Sequence, residues 1–185
     1  MIEGTKYDIV IQNVVAVGSL DQKMDLMAIM KIFRNVKYRP KRFPGLVFRL
    51  KQPKTATLIF STGKMVCTGA KSEKMAKSAV RKVVRELRKA GFIIRGSPKI
   101  EIVNVVGTAD VGGDVDIEAV SDILDNTMYE PEQFPGLIYR MKEPKVVILM
   151  FRSGKLVLTG GKSKEQVNEA VDKIVSILTE NKLIY

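Results

Sequence analysis

Histidine is absent from this 185-residue chain and cysteine occurs once, as Cys67. Without imidazole, the usual zinc ligand sets and histidine-based acid–base chemistry are unavailable. A lone thiol also forms no internal disulfide. No run approaches the roughly 18 to 20 apolar residues of a membrane-spanning helix, and Met1 to Tyr7 lacks the basic-then-apolar layout of a secretory signal. The expected location is therefore intracellular. Paired carboxylates do not recur in a repeated, buried-looking context. Gly161-Lys162-Ser163 invites comparison with a nucleotide-binding loop, but Leu156 stands where that loop needs a glycine. These absences predict a protein that is not an enzyme and carries no cofactor or metal.

What is present is apolar and basic. A hydrophobic content of 45% suffices for a packed core in one domain or two small ones. The formal charge of +11 and pI near 9.7 suit a polyanionic partner, because each lysine or arginine that neutralises a phosphate releases condensed counterions.

Shifting the chain against itself by about 91 positions aligns Ile9–Leu87 with Ile100–Leu178 without a gap, roughly four positions in ten being identical. The shared blocks are Asn13-Val14-Val15 with Asn104-Val105-Val106, Phe43-Pro44-Gly45-Leu46 with Phe134-Pro135-Gly136-Leu137, and Pro53-Lys54 with Pro144-Lys145. Gly63-Lys64 and Thr68-Gly69 recur as Gly154-Lys155 and Thr159-Gly160. The boundary falls near residue 95, giving repeats at 1–95 and 96–185. A unit this long is no solenoid module, so a pseudo-symmetric pair of α+β units is expected.

Each unit opens on a β-branched segment, Tyr7 to Val17 or Lys99 to Thr108, that reads as a strand. A helix follows, marked by three-and-four spacing of Leu26, Ile29, Met30 and Phe33, and of Ile117, Val120, Ile123 and Leu124. Three short strands come next, Gly45–Lys51, Thr55–Ser61 and Lys64–Thr68 in the first copy, spaced as an antiparallel meander. The unit closes on a long amphipathic helix, Ser72 to Ala90 or Ser163 to Asn181, with Gly91 stopping the first.

A helix layer covers one face of an antiparallel sheet and leaves the other exposed. Here both strand faces are apolar: Ala56, Leu58 and Phe60 alternate with Thr57 and Ile59, and Val147, Leu149 and Phe151 with Ile148 and Met150. An uncovered apolar surface of that kind marks a binding site. The same face is expected to carry Asn13, Val15, Arg49, Lys64, Val66 and Thr68, and their counterparts Asn104, Val106, Arg140, Lys155, Val157 and Thr159. Basic edges around an apolar floor fit a duplex minor groove, where phosphates flank sugars and base edges.

These ordered blocks, present twice, resemble the TATA-box-binding protein core, over nearly the whole chain. The resemblance implies a saddle: two pseudo-symmetric repeats sharing one curved antiparallel sheet, helices on the convex side and A·T-rich double-stranded DNA beneath. It implies that Phe43 with Phe60, and Phe134 with Phe151, insert between base steps and kink the DNA. It gives Asn13, Asn104, Thr68 and Thr159 polar minor-groove contacts, Val15, Val66, Val106, Val157, Leu58 and Leu149 apolar ones, and Arg49, Arg140, Lys64, Lys155, Lys71 and Lys162 phosphate contacts. The implied function is transcription initiation, with recruitment of transcription factor B and RNA polymerase. The short chain is similar to archaeal members, which implies a cytoplasmic, nucleoid-associated protein. A weak homodimer off DNA is counted among the partners.

The repeats differ in charge. Through Arg95 there are twenty-one basic against six acidic residues, and afterwards ten against fourteen. Before the phenylalanines, Arg39-Pro40-Lys41-Arg42 stands against Glu130-Pro131-Glu132-Gln133. The resemblance puts the transcription factor B contact on the second loop, so Glu130 and Glu132 are its expected anchors. Lysines and arginines also crowd the first closing helix, as a solvated face or a site for an acidic partner or flanking DNA. The rival readings are a diverged paralogue acting mainly as a partner-binding regulator, which the retained phenylalanines oppose, and a glycosylase or ribonuclease domain of the same fold, for whose catalytic elements the chain has no room.

Overall fold

A computed structural model describes residues 7–185; residues 1–6, on which most of the leader reading rests, lie outside the described residues. The first repeat runs β1 (Val10–Ser19), α1 (Leu26–Ile32), β2 (Val36–Lys37), β3 (Leu46–Lys51), β4 (Lys54–Ile59), β5 (Lys64–Ala70) and α2 (Glu73–Lys89). The second repeats the order with β6 (Lys99–Asp110), α3 (Ile117–Ile123), β7 (Thr127–Met128), β8 (Leu137–Met141), β9 (Val146–Met150), β10 (Lys155–Gly161) and α4 (Lys164–Glu180). All four expected helices and eight expected strands are present, within a few residues of their expected ends. The two-residue strands β2 and β7 were not expected, because a pair of residues carries no alternation to read.

Helix starts are chemically marked. Asp25 and Asp116 cap α1 and α3, each accepting from the backbone N–H three residues on at 3.1 Å. Ser72 and Ser163 do the same for α2 and α4 at 3.0 and 3.1 Å. Gly91, at φ +97°, ends α2, and the Phe92 N–H returns to the Leu87 carbonyl at 3.1 Å.

The contacts fall into two compact units, Asn13–Val103 and, for the other, the chain up to Gln12 together with Asn104–Tyr185. Strands β1 and β6 thus each contribute to both. In the first unit the strand order is β2-β3-β4-β5-β1, followed by the start of β6; in the other it is β7-β8-β9-β10-β6, followed by the start of β1. Within the units β1 pairs with β5 and β6 with β10, and these and each neighbouring pair from β2 to β5 and from β7 to β10 are antiparallel, with β2 and β7 at the outer ends of the two orders.

One sheet face packs on the long helices. In the first unit Val14, Ala16, Phe48, Ile59 and Met65 are buried with Ala76, Ala79, Val80, Val83 and Leu87 of α2. In the other, Val105, Ile148, Met150, Leu156 and Leu158 are buried with Val167, Ala170, Val171, Ile174 and Leu178 of α4. Each fully covered valine, leucine or isoleucine is worth roughly 1.5–3 kcal/mol, so these layers fix which strand face stays uncovered.

Candidate nucleic-acid interface

Along β4 the burial alternates: Thr55, Thr57 and Ile59 are buried, whereas Ala56, Leu58 and Phe60 remain half-exposed. In β9 and β10 the same alternation leaves Val147, Leu149, Phe151, Val157 and Thr159 half-exposed. Register extends the face across strands. Leu58 lies opposite Val66 and Val47, Val66 opposite Val17, and Ala56 opposite Thr68 and Arg49. In the second unit Leu149 lies opposite Val157 and Ile138, and Val157 opposite Thr108. Val15 and Val106 are likewise half-exposed, next to buried Val14 and Val105. The expected apolar and threonine positions therefore come together within each unit. Sequence reasoning passed over Val17, Val47, Thr108 and Ile138, which the same period-two alternation could have found.

The asparagines are oriented by the sheet itself. Asn13 Oδ1 accepts from the Gly69 N–H at 2.7 Å, and its Nδ2 donates to Thr68 Oγ1 at 3.1 Å. In the other unit the Gly160 N–H donates to Asn104 Oδ1 at 2.8 Å, and Asn104 Nδ2 donates to Thr159 Oγ1 at 3.4 Å. Gly69 sits at φ +96° and Gly160 at φ +91°, a left-handed conformation that side chains disfavour, and the ladder shifts register beside each. Each amide oxygen thus accepts from a main-chain N–H and one amide N–H goes to a threonine hydroxyl, which leaves a second amide N–H on each half-exposed asparagine.

Phe43 and Phe134 are 41% and 36% exposed, and Phe60 and Phe151 are half-buried beside them. The paired rings meet edge-on, with centroids 5.9 Å apart in the first unit and 5.8 Å in the second and an interplanar angle of 69° in both. Gly45 lies under the first pair: a Cβ there would stand 2.7 Å from Phe43 Cε1 and 3.1 Å from Phe60 Cε1. Gly136 does the same for the second, at 2.8 and 3.0 Å. The Phe-Pro-Gly-Leu block therefore makes room for two rings on the open surface. Phe48, by contrast, is a core residue, 1% exposed.

Arg49, Arg140, Lys64, Lys155, Lys71 and Lys162 are all exposed. Arg49 and Lys64 lie on the same side as Leu58, while Lys71 and Lys162 follow the ends of β5 and β10. Glu130 and Glu132 are exposed too, on the turn before Phe134, where the Glu130 carbonyl accepts from the Gln133 and Phe134 N–H groups at 2.9 Å. Nearby, Arg152 is held above its ordinary value, first by the Tyr129 hydroxyl and then by Glu118, with which it pairs at 3.1 Å. Cys67 is buried, and burial pushes its thiol up. Among the described residues no cluster of three or more candidate metal ligands occurs, and no helix is long and apolar enough to cross a membrane.

Comparison with known proteins agrees with this geometry. Residues 8–90 and 99–181 each match the family model described as transcription factor TFIID, or TATA-binding protein. The chain is 52% identical over 174 residues to the TATA-box-binding protein of Pyrodictium occultum, covering 94% of this chain and 87% of that protein. It is 50% identical over 170 residues to that of Sulfolobus acidocaldarius, covering 92% and 86%. The solved structure of Methanococcus jannaschii TBP superposes with a TM-score of 0.85 at 46% identity, over 93% of this chain and 98% of that one. By repeat, by fold and by sequence, the chain belongs to the TATA-binding protein family.

Proposed function

We propose that this protein is a general transcription initiation factor that binds an A·T-rich TATA element through the minor groove, kinks it, and recruits transcription factor B and RNA polymerase. The observation that carries the reading is the half-exposed strand face, with a phenylalanine pair and a half-exposed, sheet-anchored asparagine in each unit. Both A·T orientations present only acceptors in the minor groove, adenine N3 and thymine O2, and the amides supply donors. A guanine amino group would meet another donor and press on Val15, Leu58 and Val66, so preference for A·T follows from clash and lost hydrogen bonds. Phenylalanine wedges unstack a base step and open the groove onto the apolar floor, a device for which this family is itself the standard example. Arg49, Arg140, Lys64, Lys155, Lys71 and Lys162 hold phosphates, and Glu130 and Glu132 hold transcription factor B. The protein acts by binding rather than by catalysis, with the DNA in the cytoplasm.

The test is a titration of a TATA duplex labelled at both ends, with a G·C-rich control, at several salt concentrations. Bending on binding, preference for the TATA duplex and a logarithmic salt slope near −5, at roughly 0.9 per phosphate contact, are expected. Phe43→Ala with Phe134→Ala should remove most of the bend, and Lys64→Ala with Lys155→Ala should reduce the slope by about 2 without changing the preference. Equal affinity for the two duplexes, or an undistorted complex, would sink the reading.

A further inference from the structure

On the helix side of the second repeat, the end of α3, β8 and α4 enclose a groove of about 640 Å³. Its floor is apolar, made by Leu124, Tyr139 and Ile177, with Ile123 49% exposed at the lip. The first repeat has the same backbone wall, since Lys82 donates to the Gln52 carbonyl as Lys173 donates to that of Glu143. There, however, Phe33 packs edge-on against buried Phe48 with centroids 5.0 Å apart, and Glu86 stands in place of Ile177. The rims differ in charge. Asp125, Asp172 and Glu180 line the groove where the first repeat has Arg34, Arg81 and Lys89, while the lining lysines Lys142 and Lys173 have lysine counterparts, Lys51 and Lys82. One scaffold accepts either charge at these positions, so folding does not demand the acids.

A complementary feature stands on the first repeat. Ile93, just past α2, is 80% exposed, the most exposed large hydrophobic residue among those described. Its backbone is pinned by one side chain: Gln22 Nε2 donates to the Ile93 carbonyl and Gln22 Oε1 accepts from the Arg95 N–H, each at 2.9 Å. Arg88 adds bonds to the carbonyls of Ile94 and Gly96. Exposed Lys89, which pairs loosely with Glu86 at 3.7 Å, and exposed Arg95 lie on either side of the isoleucine in the chain. An aliphatic knob with cations nearby in the chain is complementary to an apolar groove whose rim carries three carboxylates absent from the first repeat.

We propose that the groove receives the Ile93 knob of a second copy of this chain, with Lys89 and Arg95 of one copy opposite Asp125, Asp172 and Glu180 of the other. Each copy then offers one knob and one groove, so association closes as a two-fold dimer where both contacts form at once and otherwise runs head to tail. One aliphatic side chain and a few solvent-screened ion pairs make it weak and salt-sensitive. Neither partner surface uses a residue assigned to DNA.

Sedimentation velocity of the full chain, over a concentration series at low and high salt, tests the proposal. At low salt the weight-average mass should rise with concentration, and high salt should suppress the rise. Ile93→Ser and the double variant Asp172→Lys/Glu180→Lys should each weaken association at least tenfold while binding a TATA duplex like the parent. An equimolar mixture of the two should form dimers and nothing larger, because one intact knob and one intact groove remain. Arg95→Glu gives the same test should Ile93→Ser disturb folding, which a thermal melt would reveal. A chain that stays monomeric throughout, association indifferent to both variants, or a mixture that fails to dimerise would overturn it; the first outcome would leave the groove to a basic segment of another protein.

Discussion

Gly45 and Gly136 show how one missing Cβ can serve a surface rather than a turn. Each lies beneath a phenylalanine pair, and an added methyl would displace the outer ring, the freer of the two. Gly45→Ala is therefore expected to leave the unfolding midpoint nearly unchanged while reducing the bend of a TATA duplex read by energy transfer; unchanged bending would mean that the ring position is not critical. Thr57 illustrates the opposite situation, a polar group where the core needs none. Its hydroxyl is fully buried and has only the weakly bonding Cys67 thiol beside it, whereas the second repeat has Ile148 and Leu158 at these positions. Thr57→Val should stabilise the protein by about 1 kcal/mol in denaturant unfolding, because an unsatisfied buried hydroxyl disappears at little cost in shape. A loss of stability would show that the hydroxyl is better satisfied than its surroundings indicate. Neither site was legible beforehand, since alternation assigns a face to a residue but not its neighbours across the sheet.

The two long helices end in the same way with different residues. After α2 the left-handed position is Gly91; after α4 it is Lys182, at φ +55°, followed by the same return bond, Leu183 N–H to the Leu178 carbonyl at 2.8 Å. A left-handed lysine costs about 1 kcal/mol relative to a residue without a Cβ. Lys182→Gly should accordingly raise the thermal midpoint, and a fall in the midpoint would contradict the capping argument. At this scale the sequence was most readable. Three-and-four spacing gave the helices, alternation gave the longer strands, and their ends lay within a few residues because caps and glycines mark them. The edge strands β2 and β7 escaped, because their pairing with β3 and β8 depends on chain that returns from elsewhere.

For the molecule as a whole, charge is divided between the repeats rather than spread over them, and this difference breaks an otherwise two-fold pattern. The turn carrying Glu130 and Glu132 corresponds to one carrying Arg39 and Lys41, and the outer side chains of both are exposed. If transcription factor B reads the acidic turn, Glu130→Arg with Glu132→Arg should cut formation of the ternary complex at least tenfold and leave TATA binding intact, as measured by mobility shift with purified factor. Undiminished recruitment would refute the assignment. The charge arrangement also explains why the functional reading did not rest on net charge: +11 suits any polyanion, whereas the doubled phenylalanine and asparagine positions suit a groove with two equivalent halves.

The sequence by itself determined the repeat and which residues share a face in each longer strand, because an internal duplication and a period of two are properties of residue order alone. Only the tertiary structure decided which apolar face is covered, that a glycine N–H across the sheet anchors each asparagine, and that one repeat fills with Phe33 and Phe48 a groove the other leaves open. Those outcomes depend on which backbone group or side chain a distant segment brings to a given surface, and packing, rather than local preference, settles that.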